Sequence, residues 1–161
     1  MIKTAILTIS DKGSRGERED KSGQTIRDML NSINAEVCAY EIIPDEQDLI
    51  TQRLRVLVEK ADLILTTGGT GVGPRDVTPE ATRVVIEKEL PGFGEAMRMA
   101  GFKITPRAIG SRAIAGICKQ TLIINLPGSP KSVSECLGTI IQTIPHTIDL
   151  IKGKVNECGR T

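Results

Sequence analysis

The stretch Asp62-Leu63-Ile64-Leu65-Thr66-Thr67-Gly68-Gly69-Thr70-Gly71-Val72-Gly73-Pro74-Arg75-Asp76-Val77-Thr78-Pro79-Glu80 decides the fold class. Leu63 to Thr66 reads as a buried parallel strand, and the glycine cluster behind it lets the backbone turn sharply with its amides uncovered. A helix follows: Thr78 can cap its first amides, Pro79 suits the first helical position, and Glu80 complements the positive end of the dipole. Strand, glycine turn and helix in that order is how α/β proteins hold anions.

Counting excludes the two named phosphate loops. A Walker loop needs Lys and then Ser or Thr after its second glycine, whereas Gly68 to Gly73 is followed by Pro74 and Arg75. A dinucleotide fingerprint needs a glycine three places beyond its second, and the count from Gly69 through Gly71 falls on Pro74. Two readings remain, an anion site of another kind and a glycine-rich connection with no ligand. Asp76 favours the first, because it sets a carboxylate beside candidate phosphate-binding amides, where a bridging cation is useful.

The rest of the chain bounds the answer. Its 161 residues suit one domain with a core that needs no staples, and neither a solenoid repeat nor a low-complexity run interrupts it. With 21 Lys and Arg against 20 Asp and Glu the net charge is +1, so nothing marks a nucleic-acid binder. Aromatic residues make up only 2% and Trp is absent, which argues against single-strand binding by base stacking. The first apolar stretch, Thr4 to Ile9, is too short for a signal-peptide core. No apolar run approaches the ~20 residues of a membrane span, so a cytoplasmic protein without membrane partners is expected. Cys38, Cys118, Cys136 and Cys158 are far apart and read as buried reduced thiols rather than a zinc or redox site. His146, the only His, follows Pro145 and reads as a capping or surface residue.

Taken in order, Thr4 to Ile9 is a central parallel strand with Ser10 and Asp11 at its C-terminal end. Lys12 to Asp20 alternates charge signs around Gly13 and Gly16 and is an exposed loop, either a solvated connection or a substrate-ordering cover. Ser22 or Asp20 can cap a helix whose apolar face is Ile26, Met29, Leu30 and Ile33. Glu36 to Ile43 is the next strand, parallel through a right-handed crossover, and Pro44-Asp45-Glu46 ends it. Asp45 then either caps the helix bearing Ile50, Leu54, Leu57, Val58 and Ala61 or joins Asp11 and Asp76 beyond the same sheet edge.

From Pro79 a helix buries Ala81, Val84 and Val85 until Pro91-Gly92 stops it, and a short helix from Phe93 to Ala100 ends at Gly101. Met97 and Met99 cannot share a face and read as packing residues; Arg98 reads as an exposed helical cation or an anion contact. Ala113 to Cys118 and Thr121 to Leu126, joined at Lys119-Gln120, form a hairpin that adds an antiparallel strand to the sheet. Asn125-Leu126-Pro127-Gly128-Ser129-Pro130-Lys131 is a second strand-turn-helix unit, with Ser129 as cap, Pro130 in the first turn and Lys131 near the exposed amides. Val133, Leu137, Ile140, Ile141 and Ile144 give a helix, Ile148, Leu150 and Ile151 a last short one, and Asn156 to Thr161 is expected to fray.

Together these residues resemble the molybdopterin adenylyltransferases of molybdenum cofactor biosynthesis, a family related to the gephyrin G domain. The likeness runs through Ile6-Leu7-Thr8-Ile9-Ser10-Asp11, Ile43-Pro44-Asp45-Glu46, Leu65 to Gly71 and Arg75-Asp76-Val77-Thr78-Pro79. It continues in Pro91-Gly92-Phe93-Gly94-Glu95, Ser111-Arg112 and Asn125 to Lys131. The resemblance implies one domain over residues 1–161 with a three-layer α/β/α molybdopterin-binding fold, a mostly parallel sheet and a homotrimeric assembly.

What it implies for function is transfer of AMP from ATP to the terminal phosphate of molybdopterin, with Mg2+ as cofactor and pyrophosphate leaving. The product would pass to the molybdate-insertion enzyme. The alternatives are a carrier that binds molybdopterin without adenylylating it and a trimeric scaffold. Asp45 and Asp76 match the family's two essential acidic positions, and they are expected to hold Mg2+ on the ATP phosphates. The amides of Gly68, Gly69, Thr70 and Gly71 and the hydroxyls of Thr67 and Thr70 would cradle one ligand's phosphate. Ser111, Asn125, Pro127, Gly128, Ser129 and Lys131 would line the other part of the pocket, with Ser10 and Asp11 at its floor. Without a P-loop Lys, the candidate phosphate cations are Arg75, Arg112 and Lys131.

Overall fold

Residues 1–154 are described by a computed structural model. Its first strand, β1 (Ile2–Ile9), begins ahead of the expected Thr4 and is buried from Thr4 onward. Ala5 and Leu7 join the core on one face of the sheet and Ile6 the core on the other, which explains why the strand does not alternate with polar residues. A single turn, α1 (Asp11–Ser14), leads through exposed residues to α2 (Lys21–Leu30), and β2 (Ala35–Ile43) returns parallel to β1. Helix α3 (Gln47–Val58) then crosses to β3 (Leu63–Thr67), which pairs parallel on the other side of β1.

The second half follows with α4 (Thr78–Val85), a two-residue strand β4 (Lys88–Glu89) and α5 (Pro91–Ile104). The hairpin of β5 (Ala115–Cys118) and β6 (Thr121–Leu126), then α6 (Pro130–Ile140) and α7 (Ile144–Ile151), complete it. The sheet order is β2-β1-β3-β6-β5-β4. β2, β1, β3 and β6 are parallel, and β5 is antiparallel to both neighbours. Helices α2, α5, α6 and α7 cover the face holding Ile6, Leu65 and Ile124, while α3 and α4 cover Leu7, Ile64 and Ile123. The result is the expected three-layer α/β/α sandwich, and the hairpin closes at Lys119, whose φ of 53° supplies the left-handed turn that Lys-Gln only weakly encodes.

Several local expectations are corrected. Of the two readings open for Asp45 the cap falls away: Glu46 is the N-cap of α3, without a side-chain bond, and the Asp45 carboxylate accepts from the Asp11 amide. Asp20, not Ser22, caps α2, since the Ser22 hydroxyl donates to the Gly128 carbonyl at 2.6 Å. Thr78 does not cap α4 but donates to the Gly68 carbonyl at 2.9 Å. Pro91 opens α5 instead of stopping α4, which ends at Val85, and α5 runs through Gly101 because Ala108 packs where a side chain there would stand. Val84 and Met99 lie on outer helix faces, 53% and 65% exposed, whereas Met97 is core. Cys38 is exposed, and Cys118 and Cys136 are partly covered; Cys158 and the Asn156 to Thr161 end lie outside the described residues. Strand β4 has no counterpart among the expected elements, as two residues carry no periodic signal.

The chain leaves β1 toward β2 on one side and reaches β3 on the other, so the C-terminal ends of β1 and β3 form the edge where doubly wound sheets open a crevice. Gly68 sits there with φ +100°, and a Cβ on it would lie 2.2 Å from the Ile9 carbonyl oxygen. Gly68→Ala therefore combines a left-handed backbone with a backbone collision and is expected to cost more than about 1 kcal/mol of stability. Urea denaturation followed by circular dichroism measures this, and an unchanged midpoint contradicts the packing described.

Candidate functional site

Two glycine turns meet beyond this edge. The turn after β3 approaches the turn after β6 so closely that a Cβ on Gly128 would lie 3.4 Å from the Cα of Gly68. Polar bonds fix the approach: the Gly68 amide donates to Leu126 O at 3.2 Å, and the Thr67 hydroxyl donates to Pro127 O at 2.6 Å. Thr78 ties α4 to the first turn through its hydroxyl on Gly68 O and its amide on Gly69 O. Among the described residues the amides of Gly69, Thr70 and Gly71 make no hydrogen bond to the protein, which leaves three consecutive donors free for a ligand. Ser129 caps α6 by accepting from the Ser132 amide, as expected, with Pro130 in the first turn.

Asp11 and Asp45 exchange reciprocal bonds between the ends of β1 and β2. The Asp11 amide donates to Asp45 Oδ2 at 2.9 Å and the Asp45 amide to Asp11 Oδ1 at 3.0 Å. Asp45 Oδ1 faces the glycine turn, 3.2 Å from where a Gly69 Cβ would stand. Burial pushes the Asp45 carboxyl above its ordinary range, the hydrogen bond with Asp11 opposes this, and the charges of Asp11 and Asp76 add to the rise. Asp11 is held low by the Arg75 guanidinium, whose Nη2 and Nε lie 2.9 and 3.1 Å from its oxygens. The three carboxylates thus gather at one edge, with Arg75 already engaged by one of them.

Asp76 closes a tight turn on itself, its Oδ2 accepting from the Gly73 amide at 2.8 Å and its own amide donating to Gly73 O. A side chain at Gly71 or Gly73 would meet the same carboxylate, so both glycines give it room. Among the described residues no group of three or more His, Cys, Asp or Glu side chains could hold a metal alone. Asp45 and Asp76 can supply two carboxylates to an ion that takes its other ligands from a phosphate and water.

Two cavities flank the glycine ridge. One, of about 740 Å³, is walled by Ser10, Thr67 and Gly68, with the Arg18 to Ser22 stretch opposite, so the loop after α1 forms part of the wall. The other, of about 540 Å³, is walled by Thr70, Gly71, Asp76, Ser111 and Pro127, with Met97, Arg98 and Arg107 behind. Gly69, Gly128 and Ser129 border both. Asp45 and Asp11 line neither cavity, and Lys131 is exposed and lines neither as well. Asn125 does not reach a pocket: it is wholly buried, with its amide nitrogen on Thr66 and Thr82 hydroxyls and its oxygen accepting from the Ile114 amide. Arg112 is spent on Gly71 O, Asp76 O and Glu80.

Sequence reasoning missed the wall built by Asp20. Its carboxylate accepts from the Thr8 hydroxyl at 2.6 Å, from the Gly23 amide at 2.9 Å and from the Tyr40 hydroxyl. Burial and the neighbouring Asp20 charge push Tyr40 up to about 12, so its proton stays in that bond. Gly23 is the one signal that could have disclosed the cluster, since a side chain there would strike both Tyr40 and Asp20. His146 is exposed, as expected of a surface residue.

The profile of the family described as "Probable molybdopterin binding domain" matches residues 5–146. A curated relative, the molybdopterin adenylyltransferase of Helicobacter pylori, is 48% identical over a 163-residue alignment covering 97% of this chain and 93% of its own. Gephyrin of Dictyostelium discoideum is 44% identical across 92% of this chain and 22% of gephyrin. The crystal structure of the molybdopterin biosynthesis enzyme MoaB from Thermus thermophilus superposes with a TM-score of 0.90 at 48% identity, over 95% of this chain and 98% of that one.

Because Asn125 serves the core, Asn125→Ala is expected to lower stability by about 1–3 kcal/mol through unpaired buried groups. Nucleotide affinity of the folded fraction should change less than about twofold. Calorimetric unfolding and isothermal titration with AMP read the two effects, and a large affinity loss at unchanged stability would return Asn125 to the pocket wall.

Proposed function

The chain belongs to the molybdopterin-binding domain family, and from that premise we propose that it is a molybdopterin adenylyltransferase. It transfers AMP from ATP to the terminal phosphate of molybdopterin and releases pyrophosphate. The observation that carries this reading is a turn with three uncommitted amides between two cavities of ligand size, with the Asp45 carboxylate against Gly69, the Asp76 carboxylate against Gly71, and the Asp76 charge felt at Asp45. A binding module needs the amides alone, whereas phosphoryl-type transfer also has use for carboxylates that can hold a cation on the phosphates.

The residues divide the work. Amides of Gly69, Thr70 and Gly71 bind and orient phosphate oxygens at the ridge, where both ligands must meet for in-line attack. The terminal phosphate of molybdopterin is already an anionic nucleophile, so no strong base is required. Asp45 and Asp76 would hold Mg2+, whose preference for one or two carboxylates plus phosphate oxygens and water fits this donor set. When bound, the ion offsets negative charge on the phosphates during transfer. The reciprocal bonds with Asp11 keep the Asp45 carboxylate oriented toward the turn. Arg75 begins paired with Asp11 and, being 60% exposed, can turn to a phosphate at small cost.

The reading extends to a cytoplasmic homotrimer that passes adenylylated molybdopterin to the molybdate-insertion enzyme. Among the described residues no helix is long and apolar enough to cross a membrane. The second reading is a carrier that binds molybdopterin without chemistry.

Purified protein with molybdopterin, ATP and magnesium is expected to release pyrophosphate, and Asp76→Asn to cut turnover on the order of 10²-fold while folding and binding molybdopterin normally. Pterin binding without magnesium-dependent pyrophosphate release would leave the carrier reading. Sedimentation equilibrium should give three times the 17.4 kDa chain mass, and a monomer would remove the trimer.

A further inference from the structure

The loop that carries Asp76 has few anchors. Val72 to Arg75 are exposed, and the bonds between Asp76 and Gly73 lie within the loop itself. Arg75 on Asp11 is one tie to the rest of the protein, made by an arginine side chain 60% exposed to solvent. Such a pair holds geometry weakly. The stronger tie comes from Arg112, in the segment between α5 and β5. Its Nε donates to Gly71 O at 2.7 Å and its Nη2 to Asp76 O at 2.7 Å, while Nη1 pairs with the Glu80 carboxylate in the first turn of α4. Its amide adds a bond to Thr70 O at 2.9 Å.

We propose that Arg112 is a positioning residue whose guanidinium fork clamps both ends of the Gly71 to Asp76 loop and so sets where the Asp76 carboxylate stands. A planar fork can engage two carbonyls and a carboxylate at once, which a lysine ammonium on a flexible stem cannot do in fixed geometry. Arg112 lines neither of the two large cavities and borders a smaller one of about 290 Å³, and its three guanidinium nitrogens are taken up by the loop carbonyls and Glu80. Glu80 holds the far edge of the fork through one carboxylate oxygen, and among the described residues its second oxygen, Oε2, is buried with no hydrogen-bond partner. Arg98 secures the segment from behind, its Nη1 donating to Ala113 O at 2.8 Å, so the clamp is mounted on α5. A misplacement of Asp76 by about 1 Å is enough to slow a positioned transfer by about 10²-fold.

The catalytic part of this inference rests on the adenylyltransferase reading; the structural part does not. The test is Arg112→Lys, which keeps the charge and loses the fork. Hydrogen exchange of the ligand-free protein should show faster exchange confined to the segment from Gly71 to Val77. Steady-state kinetics should show kcat lower by about 10- to 100-fold, with KM for ATP and for molybdopterin within about threefold of the parent. A phosphate-binding role predicts the reverse, with kcat largely rescued by Lys, KM for ATP raised and loop exchange unchanged, and that outcome overturns the proposal. If Arg112→Lys fails to fold, Glu80→Gln carries the test, since it loosens the fork without touching a loop carbonyl. Faster exchange of the same segment then supports the clamp, and parent-like exchange refutes it. Should the parent protein show no adenylyl transfer while the variant still loosens the loop, the function reading fails and the clamp stands; parent-like exchange and kcat in the variant of an active enzyme remove the clamp alone.

Discussion

The contact of Gly68 with the Ile9 carbonyl on one side and with Gly128 on the other is the constraint on which the rest of the site depends. It brings the ends of β1 and β3 closer than a side chain on Gly68 allows, and it sets the turn after β6 in van der Waals reach of Gly68. β3 and β6 are paired up to Thr67 and Leu126, which fixes where the two turns start, and among the described residues the amides of Gly69 to Gly71 are not committed to other protein groups. The ridge between the two cavities is therefore backbone. Backbone dipoles held by a buried sheet need no reorganisation when charge arrives, which is the condition for electrostatic stabilisation to be large.

Around that ridge, side chains position one another more than they await ligands. Asp11 and Asp45 cross-link two strand ends, Thr67 and Ser22 hold the carbonyls of Pro127 and Gly128, and Thr78 fastens α4 to the first turn. These bonds are partly or fully buried and carry more weight than surface pairs such as Arg15 with Glu17, whose side chains are more than half exposed. One consequence is a raised carboxyl at Asp45, partly buried beside two other negative groups. A cation is the natural remedy for such a gathering, which connects the electrostatics to the proposed chemistry.

Much of the fold could be read from the chain because its strands are buried on both faces and its helices carry one apolar stripe each. Leu63 to Thr66 and Thr121 to Leu126 stand out as strands in the sequence for that reason, and Ser129-Pro130 marks a helix start correctly. Local chemistry misled where a polar side chain had two possible partners. Asp45, Thr78 and Ser22 each suit a cap, yet Asp45 and Ser22 bond to residues brought near by the sheet and Thr78 reaches back to the glycine turn that precedes its helix. The same holds for Arg112, a cation by composition and a clamp by geometry, and for Asn125, whose partners Thr66, Thr82 and Ile114 are distant in sequence. Asp20 and Tyr40 were hidden because their contact spans a crossover.

In the proposed function, nucleotide and molybdopterin phosphates meet at one ridge built of two adjoining glycine turns, with Asp45 and Asp76 beside it. A crystal structure of the protein with adenylylated molybdopterin bound tests this most directly. The account predicts the bridging phosphates against the amides of Gly69 to Gly71, the two ends of the ligand in the two cavities, and Asn125 out of contact. Phosphates seated away from the ridge, or both ends of the ligand in a single cavity, would contradict it.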